Sequence, residues 1–182
     1  FGDAGYRGAI EITQREAALT VVNIVALETY LHGVVPKEMG YLADSDLEAM
    51  KAQALAARTY TLAHLGRRIA RGFDLYGDTR DQVYGGADAE SELGNRAVSA
   101  TESQVITYDG KLIRAYFHST CGGSTVNIED VWDSPPLPYL RRVYDGEGDV
   151  FYCSESPHFR WVEVYSANEV QSIIEANQSS VV

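Results

Sequence analysis

The chain has 182 residues and a formal net charge of −11. That length suffices for one domain with a sizeable core. The charge argues against nucleic acid and anionic membrane surfaces as partners, because no Lys/Arg cluster is available to neutralise phosphates, and no apolar run approaches the length of a membrane span.

Residues 6–13 alternate like a strand, and residues 19–25 pair with them across a polar turn. Residues 26–33 are expected to form a short helix. It delivers a turn punctuated by Gly33, Pro36 and Gly40, in which Glu38 follows the proline by two positions. A carboxylate on a stiff turn, backed by fixed cations, is one way to build a single-carboxylate catalyst.

Ser45 and Glu48 have the spacing of a capping box, so the next helix is expected to start there. Leu47, Lys51, Ala54, Leu55, Arg58, Leu62 and Leu65 fall in one stripe roughly 100° wide at the helical period. Lys51 and Arg58 are out of place in it unless they snorkel to water, pair with carboxylates such as Glu38 or Glu28, or reach a polar substrate. Ala49, Ala52, Ala56 and Ala63 make a second, small-residue face, which marks this helix as central.

Residues 72–88, rich in Gly, Asp and Tyr, read as an ordered loop whose Asp-Gln-Val-Tyr-Gly-Gly segment lines a cleft with Gln82 and Tyr84. Residues 90–101 are predicted helical. Residues 104–118 form a hairpin around Asp109-Gly110, a strong two-residue turn signal. Residues 160–165 are predicted as a last strand, and Ser166 with Glu169 makes a second capping box. That box opens a terminal helix carrying Val170, Ile173 and Ile174 on one face. The expected architecture is α+β, a single mixed domain over 1–182, with the central helix packed against antiparallel strands.

The stretch from His118 to Thr125 runs directly out of a strand and holds Cys121, Gly122 and Gly123. Paired glycines let backbone amides turn toward a ligand, and the hydroxyls of Ser119, Thr120, Ser124 and Thr125 suit a sugar. Trp132, Tyr84 and Tyr139 offer flat apolar surfaces for pyranose rings. The plainer reading is a Gly-rich loop with Trp132 in the core. The two cysteines, Cys121 and Cys153, are open to three readings. One is a disulfide in an oxidising compartment; another is a zinc site with His118, Cys121, Cys153 and His158; the third is free thiols. A Cys121–His118 nucleophilic pair is disfavoured, because residues three apart on a strand face opposite ways. His32 and His64 read as surface or core histidines.

The segments VVNIVALETYLHGVVPKEM, EAMKAQALAARTY, DQVYGG and FHSTCGGSTVNIEDVW, in that order, closely resemble the stage II sporulation protein D domain, also found in amidase-enhancer proteins of the bacterial cell wall. The resemblance runs from about residue 6 to residue 164. It implies peptidoglycan as the partner and an extracytoplasmic, envelope location. Family members include lytic transglycosylases whose catalytic acid is the glutamate of the Pro-x-Glu-Met block, here Glu38. It further implies a glycan-binding cleft, with Lys51, Gln53, Arg58, Tyr60, Gln82, Tyr84, Ser119, Thr120, Gly122, Gly123 and Trp132 as substrate-binding residues and no required cofactor. The amidase-enhancer branch implies an alternative, a non-catalytic glycan-binding module that stimulates a separate cell-wall amidase. Because the chain opens on Phe1, a removed leader or anchor is expected. A cation packed against a proton donor favours the donor's ionised form. At least one of Lys51 and Arg58 is therefore expected to serve substrate or a carboxylate other than Glu38. Glu129 or Asp130 is the candidate second carboxylate if the reaction is hydrolysis.

Overall fold

The structure, a computed structural model, describes residues 4–15 and 18–177. They fall into two compact units, Phe1–Phe117 and His118–Val182. The architecture is mixed α+β, as the sequence predicts.

The first unit opens with the predicted hairpin, β1 (Ala9–Arg15) antiparallel to β2 (Ala18–Ile24), with Ile12 opposite Val21. Part of its expected polar turn, residues 16 and 17, lies outside the described residues. Helix α1 then spans Leu27–Met39. This corrects the expected short helix and turn: the helix continues through Pro36 and carries Glu38 in its last turn. A proline inside a helix costs about 3 kcal/mol. Here complete burial of Leu31, Val34 and Val35 offsets it. The pyrrolidine ring also packs on Gly94, where an added Cβ would lie 2.6 Å from Pro36 Cγ. Only Gly40 acts as punctuation, ending the helix at φ 71° with its N–H donated to the Pro36 carbonyl at 2.9 Å.

Gly33 has a different task. A Cβ there would lie 2.6 Å from the Tyr84 ring and 2.7 Å from the Gly86 carbonyl oxygen. The bare helix surface at Gly33 thus admits the 84–86 loop. Gly33→Ala is expected to destabilise the protein by about 1–3 kcal/mol through overpacking, read as a lower urea midpoint at unchanged slope.

Helix α2 (Leu47–His64) follows a 3₁₀ turn, Asp44–Asp46. Its entry is held by Asp46, which accepts the Ala43 N–H at 2.9 Å; Glu48 instead pairs with Lys51, so the expected Ser45–Glu48 box is not made. The buried face is Met50, Ala54, Ala57, Arg58, Thr61 and His64. Leu65, placed in the predicted stripe, is 51% exposed, and Ala49, Ala52 and Ala63 face solvent. The stripe is rotated because buried polar groups find partners within the fold: the Thr61 hydroxyl, for example, donates to the Ala57 carbonyl at 2.9 Å. Helix α3 (Glu92–Ala100) is capped by Ser91, whose hydroxyl accepts the Gly94 N–H at 3.1 Å.

Helix α2 is central. Its core neighbours are α1 and α3, which bring Leu31, Val34, Val35, Leu93, Ala97 and Val98 against Met50, Ala54 and Ala57. The hairpin β3 (Thr107–Tyr108) and β4 (Lys111–Leu112) turns at Asp109 and Gly110, with φ 48° and 72°, the left-handed pair such a turn requires.

The second unit is sparser in regular structure. It holds a 3₁₀ turn, Ile128–Asp130, a small hairpin of β5 (Gly146–Glu147) and β6 (Val150–Phe151), and α4 (Ala167–Asn177). The predicted strand over 160–165 does not form. Trp161, Val162 and Val164 are 71%, 87% and 88% exposed, and an alternating pattern without a pairing neighbour makes no ladder. The second capping box is present: Glu169 accepts the Ser166 N–H at 2.7 Å while the Ser166 hydroxyl accepts the Glu169 N–H at 3.3 Å. Among the described residues no helix is long and apolar enough to cross a membrane.

Candidate functional site

Glu38 is half-buried, and its Oε1 accepts the Val83 backbone N–H at 2.6 Å. Among the described residues its Oε2 has no protein partner, and no Lys or Arg forms an ion pair with it.

The loop that supplies Val83 is fixed at successive positions. The Asp81 side chain is 1% exposed and pairs with Arg68 at 3.0 Å. It also accepts the Tyr60 hydroxyl at 3.1 Å and the Tyr76 N–H at 2.8 Å. Gln82 is fully buried; it accepts the Thr61 hydroxyl at 2.8 Å and donates to the Ala57 carbonyl at 3.3 Å. Gly85 donates its N–H to the Gly33 carbonyl at 3.1 Å. The expectation that Gln82 lines a cleft is thereby corrected: an amide satisfied inside the core anchors the loop rather than facing a ligand. Asp81, adjacent to it, escaped the sequence reading. Nothing in the sequence sets it apart, since Asp74, Asp78 and Asp88 stand in the same loop of no periodicity.

Tyr84 turns its ring toward Tyr30, centroids 4.9 Å apart, and its hydroxyl donates to Asn23 at 2.9 Å. It also borders a cavity of about 790 Å³ lined by Leu19, Tyr30, Leu62, Phe73 and Tyr76. Glu38 is not on that cavity's wall. Tyr60 is nearly buried and stacks on His64 at 3.9 Å. Burial first, then the neighbouring Asp81 carboxylate, pushes its phenol up to about 12. Its contacts are therefore internal.

Arg58 is 1% exposed. It grips Glu28 with Nε and Nη2, both at 2.7 Å, and donates to the carbonyls of Val98 at 3.3 Å and Gln104 at 3.2 Å. Of the three expectations for it, pairing with a carboxylate is the one the structure shows. Its direct contact with substrate is corrected, since every edge of the guanidinium is taken inside the protein. Lys51 meets Glu48 at 2.6 Å on the outer side of α2, so neither cation stands behind Glu38. Gln53 Nε2 is buried and unpartnered, a donor that gains when a ligand or water brings an acceptor.

The Arg58 hydrogen bonds, opposed by burial, hold the Glu28 carboxyl below its ordinary value of 4.5. A depressed folded-state value means that Glu28 contributes stability present above pH 4.5 and lost as pH falls through the folded value. Urea midpoints are expected to drop on acidification below that point, and the drop is expected to be shallower in Glu28→Gln.

Ser119, Thr120, Gly122, Gly123 and Trp132 belong to the second unit. Gly122 and Gly123 have φ 70° and 108°. Gly123 is covered by Phe151, whose ring an added Cβ would meet at 2.6 Å. Ser119 is exposed, Thr120 shares a hydrogen bond of 2.7 Å with Ser156, and Trp132 is half-exposed at 53%, not in the core. Glu129 is clamped by Arg141, whose hydrogen bonds hold it below the ordinary carboxylate range, and Asp130 accepts the Asn127 amide at 3.0 Å.

Cys121 and Cys153 carry free thiols 3.6 Å apart, with Asp145 Oδ2 at 3.0 Å from Cys121 Sγ. Partial burial, followed by the Asp145 carboxylate, pushes the Cys121 thiol up to about 11. Burial acts the same way on Cys153, but the backbone amides and thiol of the 121–123 turn outweigh it and bring that thiol down. Among the described residues the clustered donors are Cys121, Asp145 and Cys153. The expected zinc ligands His118 and His158 are not part of that group and are both exposed. A closed structural zinc site takes four ligands, and this arrangement supplies three.

The family model "Stage II sporulation protein" matches residues 15–108, which contain Glu38, α2 and the 81–86 loop. The chain is 41% identical over 142 residues to the amidase enhancer of Bacillus subtilis, covering 78% of this chain and 18% of that protein. It is 35% identical over 173 residues to stage II sporulation protein D of Bacillus subtilis, covering 86% and 48%. An uncharacterised protein of Brachyspira hyodysenteriae is 37% identical over 139 residues, covering 76% and 37%. The chain thus spans less than half the length of these curated relatives. With more than half of its residues matched by the family model and a half-buried glutamate held by the 81–86 loop, the chain belongs to the stage II sporulation protein D family.

Proposed function

We propose that this domain works on bacterial cell-wall glycan outside the cytoplasm, as a lytic transglycosylase with Glu38 as its acid and base. The observation that carries the reading is the asymmetry of the Glu38 carboxylate. Oε1 is fixed by the Val83 N–H at 2.6 Å, while Oε2 has no partner among the described residues. One oxygen aims the group and the other is available to hold a proton.

In the reaction, Glu38 gives its proton to the glycosidic oxygen between the muramic acid and the next glucosamine. The C1–O bond breaks and the glucosamine leaves as an alcohol. The carboxylate then takes the proton of the muramic C6 hydroxyl as that oxygen bonds to C1 and closes the 1,6-anhydro ring. The attacking group belongs to the substrate, so a second protein carboxylate is not needed, in contrast to ordinary glycoside hydrolysis. Glu129, clamped by Arg141, is thereby left outside the chemistry. Within the first unit Gln53 and Tyr84 are assigned to glycan binding; within the second unit, by itself, so are Ser119, Thr120, Gly122, Gly123 and Trp132.

A second reading, that the domain binds glycan and stimulates a separate amidase, is favoured by the relative named amidase enhancer. Mass spectrometry of peptide-free glycan strands distinguishes the two. Anhydro-muramic ends are expected from the wild type. Reducing ends would mean hydrolysis, and binding without any cleavage would favour the enhancer.

A further inference from the structure

The two thiols of the second unit are brought together by the backbone around them. The Asp145 N–H donates to the Gly123 carbonyl at 3.1 Å, and the Tyr152 N–H to the Asp145 carbonyl at 3.1 Å. Ser124 and Tyr144 form an isolated bridge, and the Phe151 ring covers Gly123. These ties place the segment before Gly122 beside the segment after Phe151 whatever the two side chains are. The cysteines then face each other at 3.6 Å, and Asp145 Oδ2 accepts the Cys121 S–H at 3.0 Å. A cysteine that merely packs sits among apolar atoms. This pair is half-buried beside a carboxylate.

We propose that Cys121 and Cys153 are a thiol–disulfide couple that oxidises reversibly within the folded domain, with Asp145 as the proton acceptor. The oxidant is a disulfide-bearing thiol compound. The Cys153 thiol gives its proton to water and the thiolate attacks one of the oxidant's sulfurs; the S–S bond of the oxidant breaks, and one thiolate leaves and takes up a proton from water. Cys121 then passes its proton to Asp145 Oδ2, and its sulfur attacks Cys153 Sγ. The protein disulfide forms, and the second thiolate departs and takes up the proton from Asp145. Two protein thiols are oxidised and one external disulfide is reduced to two thiols. The sulfurs need to close from 3.6 Å to about 2 Å for the bond to form. From the sequence a Cys121–Cys153 disulfide is the leading reading, ahead of zinc and of free thiols. Asp145 is what distinguishes a reactive pair with a built-in base, and nothing in the pattern around it announced that role.

The test incubates the intact reduced protein with oxidised glutathione. Expected are the loss of two hydrogens from the intact mass, the disappearance of both titratable thiols, and a thermal midpoint raised by about 5 °C or more, since the bond restrains the unfolded chain. All three changes should reverse with dithiothreitol. Asp145→Asn should reach the same end state about tenfold more slowly, a rate effect that a purely structural Asp145 would not give. Three results would overturn the proposal. One is two thiols still titratable after exposure. Another is a stable glutathione adduct on Cys153 that Cys121 does not resolve. The last is one zinc ion in native mass spectrometry that protects both thiols. Because the comparison is made on wild-type protein with and without oxidant, it does not depend on a cysteine variant folding.

Discussion

Glu38→Gln is expected to lower cleavage of peptide-free glycan by about 10²–10⁴-fold, the range in which a positioned proton donor acts, while leaving the fold intact. Glutamine keeps an oxygen that accepts the Val83 N–H, the bond of 2.6 Å that aims the side chain, but it has no proton to give and cannot later accept one. Its unfolding free energy, read from urea denaturation, should stay within about 0.5 kcal/mol of the wild type. Glu38→Ala makes the complementary case. It removes the acceptor as well, so it should lose about 1 kcal/mol of stability in addition to activity. Equal cleavage by the wild type and the glutamine variant would remove Glu38 from the chemistry. Neither variant cleaving, with the wild type also inactive and all three binding, would move the domain to the enhancer reading.

Arg58→Met should be the most destabilising single change away from Glu38, at about 3–5 kcal/mol. The guanidinium is 1% exposed and joins Glu28 of α1 to the Val98 and Gln104 carbonyls. Its removal takes the Arg58 donors from the Glu28 carboxylate and the Gln104 carbonyl, while the Val98 carbonyl keeps the Thr101 N–H at 3.2 Å. Set against a total stability of about 5–15 kcal/mol for a typical domain, this approaches unfolding. Arg58→Lys should not rescue it, because an ammonium cannot make the bidentate grip on Glu28 and reach both carbonyls. The double variant Arg58→Met with Glu28→Gln should recover part of the loss, because the orphaned charge is gone; urea denaturation of the four proteins measures the coupling. Additive effects would show that the two side chains act independently.

How much of this was legible in the chain depends on which groups carry each contact. The first hairpin, α3, the Asp109-Gly110 turn and the cap of α4 are local, and local patterns predicted them. Glu28 was among the named partners of Arg58 because a buried cation demands a carboxylate, and that demand shows in side-chain identity. The course of α1 was missed because Pro36 is locally unfavourable in a helix and is stabilised by Gly94, a residue far along the chain. The hold on Glu38 left no trace at all, for its donor is the backbone of Val83, and every residue but proline offers the same N–H. Gln82 was read as a ligand contact since an amide in a loop looks exposed until the loop is seen docked along α2.

The Val83 amide is a built-in reporter. Its hydrogen is shielded from solvent exchange only while the 81–86 loop is seated and Glu38 is aimed, so its deuterium uptake clocks how often the carboxylate is released. A partner, ligand or substitution that slows uptake at this one amide tightens the aim of Glu38, even if it acts far from it. One resonance or one short peptide therefore follows site assembly in solution, with no substrate present.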